Sequence, residues 1–167
     1  MRILSLNFRK ALFSQESGEV PIFLLTITHA SLAVPIYLTT DPTERYQDSP
    51  PLYRTVSRSI DFIYAGVDVT IPNEEDKVPP TSKLTVANVT RDLIPLARSV
   101  NSPPSVKIEA VLASDLDTVE MTWPALDMSN LQYDANQLVF DLTMDSLVSE
   151  PFPSGTFSPA SFPGLYY

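Results

Sequence analysis

Glu109, Glu120 and Asp141 are the side chains best placed for acid–base chemistry, because each falls inside a strand-like run. Glycoside cleavage needs two carboxyl groups roughly 5 to 9.5 Å apart, one giving a proton and one serving as base or nucleophile. The alternation of the chain argues against that use. Val106, Ile108, Ala110 and Leu112 alternate with Lys107, Glu109 and Val111. Val119, Met121 and Trp123 alternate with Glu120 and Thr122, and Leu138, Phe140, Leu142 and Met144 with Val139, Asp141, Thr143 and Asp145. Each carboxylate lies on the polar parity of its strand, so the pattern predicts ordinary surface placement. His29, the single histidine, ends an apolar run, and no Gly-x-Ser-x-Gly elbow accompanies any serine. It reads as a capping or edge histidine rather than the base of a triad. Glu74-Glu75-Asp76 is a solvated acidic run without the Asp-x-Asp-x-Asp loop and distal Glu of a calcium site. Trp123 has the spacing of a core residue rather than a sugar platform. The expectation is a protein that is not an enzyme.

Composition narrows the classes further. With no cysteine there is no thiolate zinc site, iron–sulfur cluster, disulfide or Cys nucleophile. Four glycines leave no phosphate-cradling loop, and no cofactor or metal is expected. A net charge of −9, with basic residues near Arg54 and Arg58 too few for a patch, argues against specific nucleic-acid binding. Charged residues make up 19% against a hydrophobic share of 44%, so part of the surface is expected to be covered by other subunits. The longest apolar run, Val20 to Ile27, is interrupted by Pro21 and Thr26 and is too short to span a bilayer. Met1 to Leu12 lacks the continuous apolar stretch of a secretory signal.

The elements that must position these residues are mostly strands. Leu6, Phe8, Leu12 and Phe13 suit one face of a short helix within the first fifteen residues, with Arg9 and Lys10 outside. Ile22 to Thr28 is a strand, apolar on both faces, and Ala33 to Thr39 is expected to pair with it. Asp41 to Tyr53 has no periodicity and reads as a long contact loop bearing Tyr46 and Tyr53. Val56 to Ile71 resumes strand character, with a phase slip at Ala65-Gly66 that one bulge or tight turn would absorb. Lys83 to Ala87 is a half-buried strand leading into a short helix capped near Asp92, with Pro95 in its first turn. Turns are expected at Ser114-Asp115, Asp127 to Asn130 and Tyr133 to Asn136.

The fold class is therefore all-β and mainly antiparallel, a barrel or sandwich with one or two short helices. Residues 1–148 form the β-rich domain, with two related lobes at about 1–78 and 79–148 left open. Residues 149–167 form an extended Pro-rich C-terminal arm, which proline bars from a helix or a central strand. A stiff polyproline-like arm loses little entropy on docking, either against its own barrel or against a neighbour. The candidate interface residues are Tyr46, Tyr53, Phe152, Phe157, Pro159, Phe162, Pro163, Gly164, Leu165, Tyr166 and Tyr167.

Two segments carry a resemblance. Pro80-Thr81-Ser82-Lys83-Leu84-Thr85-Val86-Ala87-Asn88-Val89-Thr90-Arg91-Asp92 resembles the signature of a tailed-phage family catalogued as a domain of unknown function. The ending Phe157-Ser158-Pro159-Ala160-Ser161-Phe162-Pro163-Gly164-Leu165-Tyr166 resembles that family's terminal motif. The arrangement is also similar to the N-terminal part of the lambda-type minor tail protein L, from Ser57 to the C-terminus. The resemblance implies a hub subunit of the tail tip of a long-tailed phage, in three copies, made in the host bacterial cytoplasm and built into the virion. The implied partners are further copies of the chain, the distal tail protein, the central hub or fibre protein and the tape measure. The lambda-type protein continues into a Cys-rich iron–sulfur domain; this sequence has no cysteine, so the cluster does not carry over. The alternatives are a six-copy distal tail adaptor ring, or a β-sandwich carbohydrate- or receptor-binding module, which would need Trp123 exposed.

Overall fold

The structure is a computed structural model and describes residues 4–71, 81–87, 102–134, 136–143 and 164. The acidic run at 74–76, the helix expected after Asp92 and the arm apart from Gly164 lie outside the described residues.

Within them, one helix, α1 (Leu6–Phe13), precedes ten strands. These are β1 (Pro21–Thr28), β2 (Ile36–Thr39), β3 (Glu44–Asp48), β4 (Pro51–Ser57) and β5 (Ile60–Tyr64), then β6 (Val67–Val69), β7 (Thr81–Ala87), β8 (Ser105–Leu112), β9 (Asp115–Tyr133) and β10 (Gln137–Thr143). They form one sheet in the order β3-β4-β5-β2-β1-β8-β9-β10-β7-β6. Every pairing is antiparallel except β2 with β5, where Leu38 meets Ile63. The all-β, mainly antiparallel expectation holds.

The sheet curls enough to supply both of its own layers. Leu25 and Ile27 of β1, Val106 and Ile108 of β8, and Trp123 and Leu126 of β9 share a core with Leu84 and Val86 of β7. Leu38 of β2 and Val67 of β6 join the same cluster, although five strands separate β2 from β6 in the sheet order. On the opposite face, Ile22, Leu24 and Val111 pack against Phe62, delivered by the β4–β5 hairpin. Strands β1 and β8 are thus covered on both sides. That is why Ile22, Leu24 and Leu25 are all apolar, and why Val111 is buried although it breaks the alternation of its strand. Each such side chain contributes about 1.5–3 kcal/mol on burial.

Three expectations change. The stretch Asp41 to Tyr53 is not a loop: β3 and β4 pair as a hairpin, with Arg45 opposite Tyr53. All five residues of β3 are exposed, so no apolar alternation marks this edge strand in the sequence. Val56 to Ile71 is divided three ways. Arg58 and Ser59, with φ of 51° and 62°, turn β4 into β5, and Gly66 (φ 60°) turns β5 into β6. The expected slip at Ala65-Gly66 is therefore a tight turn that sends the chain to a different partner, β7. Finally, Asp127 to Asn130 is no turn. β9 runs straight through it, pairing with β8 through Asp127 and with β10 from Asp127 to Tyr133. Asn130 takes φ of 49° beside a register shift, so the strand bends instead of ending.

Candidate functional site

The three strand carboxylates are engaged by different partners, although Glu109, opposite Thr122, has Glu120 two residues along the facing strand. Glu109 is only 4% exposed and Glu120 is also buried, which corrects the surface placement that parity predicts. Glu109 lies on the face of β8 that the β4–β5 hairpin covers. Arg58, at the hairpin tip, donates from Nη2 to Oε2 at 2.7 Å and from Nη1 to Oε1 at 3.3 Å. Lys107 Nζ donates to Oε1 at 2.6 Å. Burial pushes the Glu109 carboxyl up, but the hydrogen bonds and charges of Arg58 and Lys107 outweigh it and hold the carboxyl below the usual value. The same hydrogen bond raises the Arg58 guanidinium. A carboxylate ionised by two cations is a poor proton donor. Its work is to fasten the hairpin, with the Arg58 N–H donating to Asp117 Oδ1 at 2.6 Å and Ser57 Oγ to the Leu116 carbonyl at 2.6 Å.

Glu120 serves another segment. Its Oε2 accepts from the Ser5 N–H at 2.9 Å, while Ser5 Oγ accepts from the Phe8 N–H and caps α1. A carboxylate at a helix N-terminus also suits the partial positive charge there. Asp141 is half-buried and accepts from Asn130 Nδ2 at 3.0 Å, at the bend of β9.

His29 closes a loop. Its Nδ1 accepts from the Ser31 N–H at 3.0 Å, which places the ring proton on Nε2, 2.7 Å from Ser102 Oγ. A general base needs a bare nitrogen at that position, so this arrangement clamps Ser102 rather than activating it. Among the described residues no group of three or more His, Asp or Glu could hold a metal ion. Trp123 is buried, its ring centroid 6.3 Å from that of Phe23.

The other candidates among the described residues lie on the surface. Tyr46 (55% exposed) and Tyr53 (37%) stand on the β3–β4 hairpin with different surroundings. The Arg54 guanidinium lies 4.7 Å from the centroid of the Tyr46 ring and bonds Glu44 at 2.6 Å and Asp61 at 3.1 Å. Its hydrogen bond to Glu44 raises the Arg54 pKa above the usual arginine value. Tyr53 instead lines a groove of about 760 Å³ between this hairpin, β2 and the Ala65-Gly66 turn. Sequence reading missed Tyr37 and Tyr64, which line the same groove from β2 and β5. They sit on short strands that the sequence reads as core, and the parallel β2–β5 pairing that brings them together has no local signature. Helix α1 adds a second apolar surface, with Leu6, Leu12 and Phe13 exposed and Phe13 at 89%. Of the arm candidates, Gly164 is exposed, and a Cβ there would meet nothing within 4 Å. Phe152, Phe157, Pro159, Phe162, Pro163, Leu165, Tyr166 and Tyr167 lie outside the described residues.

No helix among the described residues is long and apolar enough to cross a membrane. No curated protein matches the chain. A family model described as "Domain of unknown function (DUF1833)" matches residues 7–157, from the first turn of α1 into the arm. With the match spanning nearly the whole sequence, the chain belongs to the DUF1833 family.

Proposed function

We propose that this protein is a structural subunit of a bacteriophage tail tip. It would form a hub ring, in three copies, joining the end of the tail tube to the central tip proteins. It works through its interfaces and carries no catalysis. The observation that carries the reading is the resemblance of 80–92 and 157–166 to the two motifs of a tailed-phage family. Its placement is the virion, after synthesis in the host cytoplasm, with the distal tail protein, the central hub or fibre protein and the tape measure as neighbours.

The surface supports this reading. A chain with 19% charged residues that leaves Leu6, Leu12, Phe13, Val34 and Tyr46 exposed has apolar area to cover in an assembly. Strand carboxylates engaged in holding segments together, and a tryptophan enclosed in the core, leave those groups to structure rather than to catalysis or sugar stacking. The sequence of residues 149–167 offers aromatic anchors among prolines, a composition that would lose little entropy on docking.

The test is native mass, for the chain alone and mixed with the products of neighbouring genes. A ring, or a defined complex with a tail protein, is expected, and its mass separates three copies from six. Removing residues 157–167 should abolish assembly and leave the far-ultraviolet strand signal unchanged. A monomer at every concentration that binds no tail protein, or that binds glycans or releases cell-wall fragments, would sink the reading.

A further inference from the structure

The groove beside the Ala65-Gly66 turn is walled by Tyr37, Leu52, Tyr53, Ile63 and Tyr64, with Pro35 and Pro51 also in its lining. Its volume of about 760 Å³ falls in the range of ~300–1,000 Å³ usual for binding pockets. Among the described residues one charged side chain, Asp61, reaches it, and that carboxylate is already bonded to Arg54. A groove whose described lining is rich in tyrosine and proline and holds no unpaired charge suits an uncharged, apolar and extended ligand. Aromatic-lined grooves of this kind take proline-rich segments in the polyproline conformation.

The chain carries such a segment. Residues 149–167 hold Pro151, Pro153, Pro159 and Pro163, and a single charged side chain, Glu150. Aromatic residues recur every fifth position, at Phe152, Phe157, Phe162 and Tyr167. At ~3.1 Å per residue, successive aromatics stand about 16 Å apart, so the groove seats one or two of them.

The direction of β10 indicates which copy supplies the segment. Gln137 pairs with Ala87, which lines the groove, whereas Thr143 pairs with Thr81 at the far end of the ladder. Six residues of strand carry the chain about 20 Å away from the groove by Thr143. β10 thus heads away from the groove of its own molecule, which favours the groove of a neighbouring copy as the seat. Gly164, exposed with open space around it, is no part of the groove wall.

We propose that this groove is the seat of the C-terminal aromatic–proline segment of a second copy of the chain. The inference rests on the reading of the arm as an intersubunit anchor and adds the surface that receives it.

The absence of native cysteine makes the test clean. Full-length Tyr53→Cys chains are mixed with full-length Phe157→Cys or Phe162→Cys chains, oxidised mildly and resolved without reductant. A covalent dimer that needs both variants is expected, and Ser102→Cys in place of Tyr53→Cys should give none. Leu52→Glu, checked for an unchanged strand signal, should raise the concentration for half-assembly at least about tenfold, the effect of losing one good apolar contact. Failure of both arm variants to cross-link to position 53 overturns the proposal. So does closure of the bond within a single Tyr53→Cys/Phe162→Cys chain. If deleting 157–167 abolishes assembly while no cross-link forms at 53, the groove is wrong and the tail-tip reading survives. A cross-link in a protein that binds no tail protein supports the groove and removes that reading.

Discussion

Glu109 fastens the tip of the β4–β5 hairpin to β8 through Arg58. It is a buried carboxylate whose two cationic partners, Arg58 and Lys107, keep 34% and 47% of their side chains in solvent. Removing one partner of a fully buried pair costs about 3–5 kcal/mol. Here water can solvate the cations left behind, so Glu109→Gln should cost about 1–3 kcal/mol. The folded-state value of Glu109 lies below its unfolded value, so its contribution is full above the unfolded value, near pH 4.3. It is lost as pH falls through the lower folded value. Denaturant titrations of wild type and Glu109→Gln should accordingly converge as the pH is lowered below about 4; a constant gap would show that the carboxylate's charge is irrelevant. Gly66 offers a second test, of backbone rather than charge. A Cβ there would stand 2.8 Å from that of Ala87, at a φ of 60°. Gly66→Ala should cost about 1–3 kcal/mol, read from the same titration.

At the scale of elements, α1 is tethered through its cap to Glu120 and presents Leu6, Leu12 and Phe13 to solvent. Glu120→Ala should speed amide exchange across residues 6–13 while leaving that of β1 and β8 unchanged; equal protection in both proteins would show that packing alone holds the helix. Legibility in the sequence varied with what each strand faces. β7 buries alternate residues and β10 buries Leu138 and Leu142 with Phe140 half-buried between them, and the apolar alternation of both locates them in the sequence. The parity of Glu109 misled because β8 is covered on both faces, and a rule built for half-buried strands assigns its second face to water. β3 was invisible because hydrogen bonding to β4, not apolar burial, makes it a strand. The polar run Asp127 to Asn130 resembles a turn, yet ladders on both sides of β9 override local preference. The tyrosine pair was half legible. Exposure followed from polar surroundings, but the separation of Tyr46, stacked on Arg54, from Tyr53, in the groove, depends on folded neighbours.

For the whole molecule, the sheet order places β1 between β2 and β8, and Thr28 meets Ser105 across 77 residues of chain. At about 5–20 residues per second, a ribosome needs roughly 4–15 s to make that intervening stretch. Throughout this interval Pro-Ile-Phe-Leu-Leu-Thr-Ile-Thr, uncharged and of high strand propensity, has one of its two ladder neighbours missing. Fragments ending before Ser105 should therefore collect in the insoluble fraction, and the full-length chain should refold slowly, in milliseconds to seconds. Soluble, strand-rich fragments would mean that the first half completes itself without β8. The middle position of β1 thus leaves an apolar strand half-paired during synthesis, and co-expressed chaperones should raise the soluble yield of the full-length chain.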